Sequence, residues 1–203
     1  MKISYKNGRG NKIHLFIDGE YRITTTSDFF AENYYKENSE IDDEEWSELV
    51  DKINYSKAVG KCYDLLSRRA HSVKELRDKL IKSFDRETAD KAIDLMLEYG
   101  YLNDEEYAKE LFTYLCENKK LSERFIVLEM NKRGISNEIT QSLICDADID
   151  NVGTAFDVIN SKYLNKLNQE GGRQKVIAAM SRKGFSYSDI VSALERIENY
   201  DEF

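Results

Sequence analysis

The chain has 203 residues, of which 41% are hydrophobic and 33% are charged, and its formal net charge is −8. This length suits one or two domains or a short repeat array, and the apolar fraction is sufficient for a packed core. The sequence has no run of about 18 consecutive apolar residues, so we expect no helix to span a membrane. Proline is absent, which permits long uninterrupted helices.

The three cysteines predict a reducing environment. Cys62, Cys116 and Cys145 are widely spaced and form no CxxC pair. An odd, scattered set of this kind favours buried free thiols over a disulfide framework or a zinc site. The first residues also lack the apolar segment of a secretion signal. We therefore expect a cytoplasmic protein that does not contact membranes.

The N-terminal segment carries a hairpin pattern. The aliphatic residues Ile13, Leu15 and Ile17 alternate with His14, Phe16 and Asp18, and Asp18-Gly19 provides a turn. An Asp-Gly pair favours a type I′ turn, in which both residues have positive φ. Because an isolated hairpin is only marginally stable, we expect it to pair with a third strand near Ile3–Lys6 or to pack on a helix.

Two helix starts follow the hairpin. Ser27 is predicted to cap a short helix that continues to about Tyr35. Asp42 with Glu45 three residues later has the spacing of a capping box, and the apolar residues that follow predict one long helix over residues 43–69.

The remaining chain repeats with a period of 50 residues, as the spacing of Leu76, Ile126 and Val176 shows. Each repeat predicts a helix, a second helix, a tight turn and a third helix. Gly134 and Gly184 stand where two of these turns require positive φ. The predicted helix caps are Ser72, Asp85, Ser122, Ser136, Gly172 and Ser186.

These patterns predict a mainly α protein with three tandem three-helix repeats in an elongated array and a small N-terminal β-hairpin extension. The predicted boundaries are 1–54 for the extension and 55–101, 103–147 and 148–199 for the repeats. We expect four aromatic residues in the core rather than as base-stacking platforms: Trp46, Tyr99, Tyr101 and Tyr107.

Positive charge is concentrated near the middle helix of each repeat, although the protein is acidic. Residues 56–84 hold eight Lys or Arg against three acidic residues, residues 119–133 hold five against two, and residues 173–183 hold four against none. Regular stacking would align these segments into a basic stripe that suits phosphates or an acidic protein groove. The alternative is that the cations simply solvate helix faces. The predicted contact residues are Arg68, Arg69, Arg77, Lys82, Arg124, Lys132, Arg133, Arg173, Lys175, Arg182 and Lys183.

The sequence offers little support for catalysis or metal binding. No serine lies in a nucleophile elbow, and Gly8-Arg9-Gly10 lacks the spacing of a phosphate-binding loop. The alternating Asp146, Asp148 and Asp150 favour helix capping and an acidic linker over a calcium loop. His71, placed before a helix start, is expected to be solvated. We therefore predict a protein without enzymatic activity, cofactor or metal.

Several ordered motifs resemble the RecX regulatory family. They are Ser67-Arg68-Arg69-Ala70-His71-Ser72, the stretch from Gly100 to Ala108 (GYLNDEEYA), Gly134-Ile135, and Gly184-Phe185-Ser186-Tyr187-Ser188-Asp189-Ile190. The resemblance covers residues 55–198. It implies binding within the groove of a RecA–DNA filament, damping of the RecA ATPase and strand exchange, and hence a role in recombinational DNA repair and the SOS response. We expect the protein to act as a monomer.

Two other functions remain open from the sequence. The same basic stripe could bind the DNA backbone directly, or it could dock some other acidic partner. Base reading by the third helix of each repeat is disfavoured. The predicted third helix over residues 137–145 has no Lys or Arg, and the one over residues 187–198 is mostly acidic in its charged residues.

Overall fold

The computed structural model describes residues 1–200, so the acidic residues Asp201 and Glu202 lie outside it. The chain divides into two compact units, one of Met1–Leu102 and one that begins at Asn103. Both are built mainly from α-helices, and the first also contains a small antiparallel sheet. The mainly helical fold with an N-terminal β-structure is therefore confirmed.

The N-terminal sheet has four antiparallel strands in the order β3-β2-β1-β4. Asp18 and Gly19 have φ values of 50° and 85°, the two positive values that a type I′ turn requires. The hairpin and the third strand are thus confirmed. The strands are β1 (Lys2–Asn7), β2 (Ile13–Ile17), β3 (Glu20–Thr25) and β4 (Ser39–Glu40).

One face of this sheet is buried because its apolar residues alternate. Ile3, Leu15 and Ile17 lie in one cluster with Leu49 and Ile53. The last two belong to the long helix α2 (Asp43–Leu66), so the hairpin is stabilised by packing on a helix as well as by β1.

The helices of the first unit begin close to the predicted residues and end earlier. The predicted capping box of Asp42 and Glu45 is present in both directions. The cap of the short helix is Thr26 rather than Ser27, since the Thr26 hydroxyl accepts from the Phe29 amide. The helices after the sheet are α1 (Ser27–Glu32), α2, α3 (Val73–Leu80) and α4 (Arg86–Glu98).

The first module, formed by the second half of α2 with α3 and α4, has its own core. Cys62, Leu76, Leu80, Ile93 and Met96 are fully buried there. Ser72 and Asp85 cap α3 and α4 as predicted. Cys62 is buried as expected, and this burial raises the pKa of its thiol to about 11.

The second unit contains two further modules, each with a separate hydrophobic cluster. The second module comprises α5 (Asp104–Thr113), a π-helical turn (Tyr114–Asn118), α6 (Glu123–Lys132) and α7 (Asn137–Ala147). The third comprises α8 (Asn151–Lys162), α9 (Leu164–Leu167), α10 (Gly172–Ser181) and α11 (Tyr187–Tyr200).

Turn chemistry in the second unit follows the sequence with one shift. Ser122, Ser136 and Ser186 accept hydrogen bonds from the amides three residues later. Gly134 and Gly184 have φ values of 82° and 91°, as their turns require. Gly171, not Gly172, precedes α10 as its cap. A side chain at Gly172 would overlap the Lys166 carbonyl, so glycine is needed there for close packing.

Some expected burial is not observed. Cys145 and the rings of Tyr99 and Tyr101 are exposed, whereas Tyr107 is buried as predicted. The predicted repeat boundaries at 54/55 and 147/148 stay predictions, and the first of these falls inside α2. Across residues 1–200, every helix is too short or too polar to cross a bilayer.

Candidate binding surfaces

In the first module, three of the four predicted contact arginines and lysines are already held by carboxylates. Arg77 Nε donates to Asp90 Oδ1 at 2.7 Å. Arg69 donates to both carboxylate oxygens of Glu75, at 3.1 and 3.2 Å. Arg68 pairs with Asp64 one helical turn earlier, at 2.8 Å. These contacts reduce the positive charge that the module presents to a partner.

Lys82 differs from these arginines. It is exposed, and no carboxylate of residues 1–200 lies within ion-pair distance of it. Of the predicted contacts in the first module, Lys82 therefore retains its full charge for a partner.

The second module also divides its cations. Lys132 and Arg133 share the carboxylate of Glu129, with N–O distances of 3.7 and 4.0 Å. Arg124 is exposed on α6, and the described part of the chain supplies no carboxylate partner for it. Arg124 is thus the freer cation of the three.

In the third module, Arg173 forms an ion pair with Glu198 of α11. Lys175 and Arg182 are exposed on and just after α10, and neither has an ion pair among the described residues. Lys183 is half-buried, and its ammonium group donates to the main-chain carbonyl of Lys119 in the second module.

The turn after α10 packs on the start of α6, within the second unit. The Ser122 amide donates to the Lys183 carbonyl at 3.2 Å. A Cβ atom at Gly184 would overlap the Phe125 ring and the Ser122 hydroxyl, so the two segments are in close contact. Asn151 at the start of α8 accepts from the Glu123 amide at 3.0 Å and so caps α6 from the third module. We call this contact region the junction.

Like charges converge at the junction. Burial lowers the pKa of Lys183, and the positive charges of Lys162 and Lys119 lower it further. Lys120, with φ of 48°, lies 3.8 Å from Asp157. For Lys119 and Lys162, residues 1–200 provide no ion pair. Lys119, Lys162 and Lys183 therefore add positive charge to the junction.

The sequence predicted only part of this cluster. Lys183 is among the predicted contacts and Lys119 lies in a predicted basic segment. Lys162 carried no signal because it stands alone at the end of α8 and reaches the others only through the fold.

His71 is buried, not solvated as predicted, with 4% of its surface exposed. Its Nδ1 lies 2.9 Å from the Arg69 carbonyl, while Nε2 is buried without a hydrogen-bond partner among the described residues. Burial is the main reason that the pKa of His71 is lowered. The neutral imidazole therefore stabilises the loop between α2 and α3, which contains Arg69.

An exposed tyrosine cluster is the clearest feature that sequence reasoning missed. Tyr63, Tyr99 and Tyr101 are 40%, 59% and 57% exposed. The ring of Tyr101 meets Tyr63 and Tyr99 edge to face, with centroids 5.5 and 6.4 Å apart. The apolar pattern predicted buried rings for Tyr99 and Tyr101, because periodicity cannot distinguish a buried position within a helix from an exposed one just beyond its end.

Together, the fold and these surfaces define a class of protein: a mainly helical chain of small three-helix modules that presents charged surfaces. Comparison with known proteins identifies the family. The family model described as RecX, first three-helix domain, matches residues 58–94.

The chain is 32% identical to the regulatory protein RecX of Caldanaerobacter subterraneus, over 93% of this chain and 95% of that protein. It is 26% identical to the regulatory protein RecX of Clostridioides difficile, over 100% and 97%. The chain therefore belongs to the RecX family of regulatory proteins. These relatives are named as regulatory proteins and not as enzymes.

Two solved structures share the fold. A crystal structure of a regulatory protein RecX aligns with a TM-score of 0.62 and 17% identity, covering 96% of this chain and 100% of that one. RecX from Lactobacillus salivarius aligns with a TM-score of 0.56 and 18% identity, over 71% and 97%. At these identities the likeness concerns the fold alone.

Proposed function

We propose that this protein regulates RecA by binding the RecA filament on DNA and damping its ATPase and strand exchange. It acts without catalysis of its own, as a cytoplasmic monomer. Membership of the RecX family supports the target. The observation that carries the binding mode is the set of exposed cations without carboxylate partners among residues 1–200, which recur at the basic segment of every module: Lys82, Arg124, Lys175 and Arg182.

The proposed mechanism is multivalent docking. Each module contributes a few polar contacts, which are weak singly because exposed charge pairs contribute little. Linked modules bind with a much higher combined affinity, since each later contact is intramolecular. Contacts that span neighbouring RecA subunits would oppose the rearrangements that accompany ATP turnover and strand exchange.

The structure changes which of the predicted contact residues we expect to contribute most to binding. Arg68, Arg69, Arg77 and Arg173 have intramolecular carboxylate partners, so their replacement removes a contact within the module. We propose that they shape the surface and that the unpaired cations, with Lys132, Arg133 and Lys183 beside them, supply most of the attraction.

The decisive experiment is the ATPase of the cognate RecA on single-stranded DNA, with and without this protein. We expect inhibition by the wild type, and for Lys175→Glu with Arg182→Glu a half-inhibitory concentration that rises by up to about tenfold. The matched control, Arg9→Glu with Lys12→Glu, makes the same charge change at exposed residues of the N-terminal loop. An unchanged half-inhibitory concentration for this pair, or an equal rise for the control, contradicts the proposal.

Direct binding to the DNA backbone is the second candidate, and the convergent lysines of the junction favour it. Neutralising phosphates releases counterions, so binding to naked DNA should fall steeply with added salt. Filament docking instead requires RecA. Binding of a labelled oligonucleotide at two salt concentrations, with and without RecA, separates the two functions.

A further inference from the structure

The first unit has a groove of about 630 Å³ between α2 and α4, formed by residues other than the predicted cationic contacts. Tyr55 of α2 and Leu95 of α4, both half-buried, line it. Thr88, two lysines and five carboxylates complete the lining. The carboxylates are Asp51, Asp85, Glu87, Asp94 and Glu98.

The lysines of the groove do not neutralise it. Lys91 donates to Glu87 at 2.8 Å, and Lys52 pairs with Glu48, which lies outside the lining, at 3.7 Å. Asp51, Asp94 and Glu98 have no ion-pair partner within residues 1–200. The groove therefore keeps an excess of negative charge.

Both helices direct their negative ends toward the tyrosine cluster. Tyr63 lies in the last turn of α2, and Tyr99 caps the end of α4 directly after Glu98 of the groove. Within 43–66 and 86–98, neither last turn contains a basic residue to offset the helix dipole. The carboxyl ends of both helices therefore contribute partial negative charge near the rings.

This combination selects a cation with an apolar, planar face. Aromatic rings attract cations through their negative faces, and guanidinium groups also stack on them. Carboxylates along the groove would pair with further basic side chains. A nucleic acid strand fits less well, because its phosphates would face Asp94 and Glu98.

We propose that the α2–α4 groove and the tyrosine cluster together bind a basic, arginine-bearing segment of a partner protein. Charge complementarity identifies the partner's chemistry, and the groove volume suits a few side chains of an extended segment. The surface is separate from the cations to which we assign filament binding, so the two proposals stand or fall independently.

The test measures binding of the full-length protein to a short labelled peptide in which arginine alternates with serine. Replacing Asp94 and Glu98 by Asn and Gln should weaken binding about fivefold, as should Tyr99→Ser, by loss of exposed ion pairs and a cation–π contact. The control pair Glu37→Gln and Glu44→Gln makes the same charge change on exposed residues outside the groove and should leave binding within about twofold. Tyr99→Phe should retain binding because the ring remains.

Three further measurements examine the identity of the partner. A lysine–serine peptide should bind more weakly than the arginine peptide, since an ammonium group cannot stack. An equal loss of peptide affinity in the groove and control variants would mean that only the net charge of the protein matters, and it would overturn the proposal. So would wild-type affinity in the groove variants. Weaker single-stranded DNA binding by Tyr99→Ser would assign the rings to bases instead, and a dimer lost in that variant would assign them to self-association.

Discussion

At the scale of single residues, the cations chosen from the sequence fall into two groups. Some, such as Arg77, are held by a carboxylate of their own module, and others, such as Arg182, are exposed without one among residues 1–200. Both kinds look alike in a sequence because the partner carboxylate is often distant along the chain. The distinction has consequences that can be measured.

Arg77 is expected to contribute more to stability than to binding. Arg77→Ala should lower the free energy of unfolding by about 0.5–1 kcal/mol, because it removes a half-exposed ion pair and some packing. A double-mutant cycle with Asp90→Ala in urea unfolding measures the pair itself. Inhibition of the RecA ATPase by folded Arg77→Ala should be close to that of the wild type. A strong loss of inhibition would show instead that Arg77 contacts the filament.

His71 predicts a pH dependence of stability. Because burial lowers its pKa in the folded state, the unfolded chain takes up the proton first as the pH falls below about 6.5. Proton uptake therefore favours unfolding, and stability should decrease in that range. Urea unfolding at several pH values should show a shallower decrease for His71→Gln than for the wild type. His14→Gln, a substitution in the sheet, is the control. If the unfolding free energy of His71→Gln and of the wild type depends on pH with the same slope, His71 does not cause the decrease.

At the scale of elements, helix starts and turns follow local rules. Capping residues such as Asp42, Ser72 and Ser136 act within three residues of themselves, so their role can be predicted without tertiary contacts. Gly184 has two roles. Its positive φ was predictable, whereas its contact with Phe125 at the junction was not.

The junction makes Gly184 more sensitive than a turn glycine alone. Gly184→Ala should destabilise the second unit by about 1–3 kcal/mol. The added methyl group would overlap the Phe125 ring, and alanine is also strained at this positive φ. Gly171→Ala is the matched control, because Gly171 has a φ of 67° and an added Cβ atom would lie 3.9 Å from Gln174 Oε1. It should cost about 1 kcal/mol. Equal losses in thermal unfolding would show that the junction adds nothing.

At the scale of the whole molecule, the proposed regulation depends on several modules acting in one chain. Each basic segment lies in its own module with a separate core. A partner with repeating subunits, as in a filament, could engage more than one of them. When contacts in several linked modules are removed together, the combined affinity should fall by more than the loss of any one contact.

This dependence predicts how combined substitutions behave. Arg124→Glu alone, or Lys175→Glu with Arg182→Glu, should weaken filament binding about tenfold or less, whereas all three together should weaken it about a hundredfold or more. Titration of a labelled RecA filament measures both. A triple variant that binds no more weakly than the worse of its components would exclude multivalent docking.

The sequence by itself determined the elements and their repetition. The capping residues, the Asp-Gly turn and the glycines at positive φ all reflect interactions between near neighbours, which the chain order encodes directly. The 50-residue period reflects the recurrence of these local patterns along the chain. The same local motifs indicated the RecX family. The basic segments and their contact residues stay predictions.

Only the tertiary structure decided which of those charges are neutralised and which side chains meet. Asp90 reaches Arg77 from another helix, Lys162 joins Lys183 from another element, and Tyr99 remains exposed beside Tyr101 because the chain turns away after α4. Such contacts depend on where each helix packs. Apolar periodicity specifies the buried face of a helix but not its neighbours, so charge pairing and the exposed aromatic cluster could not be derived from it.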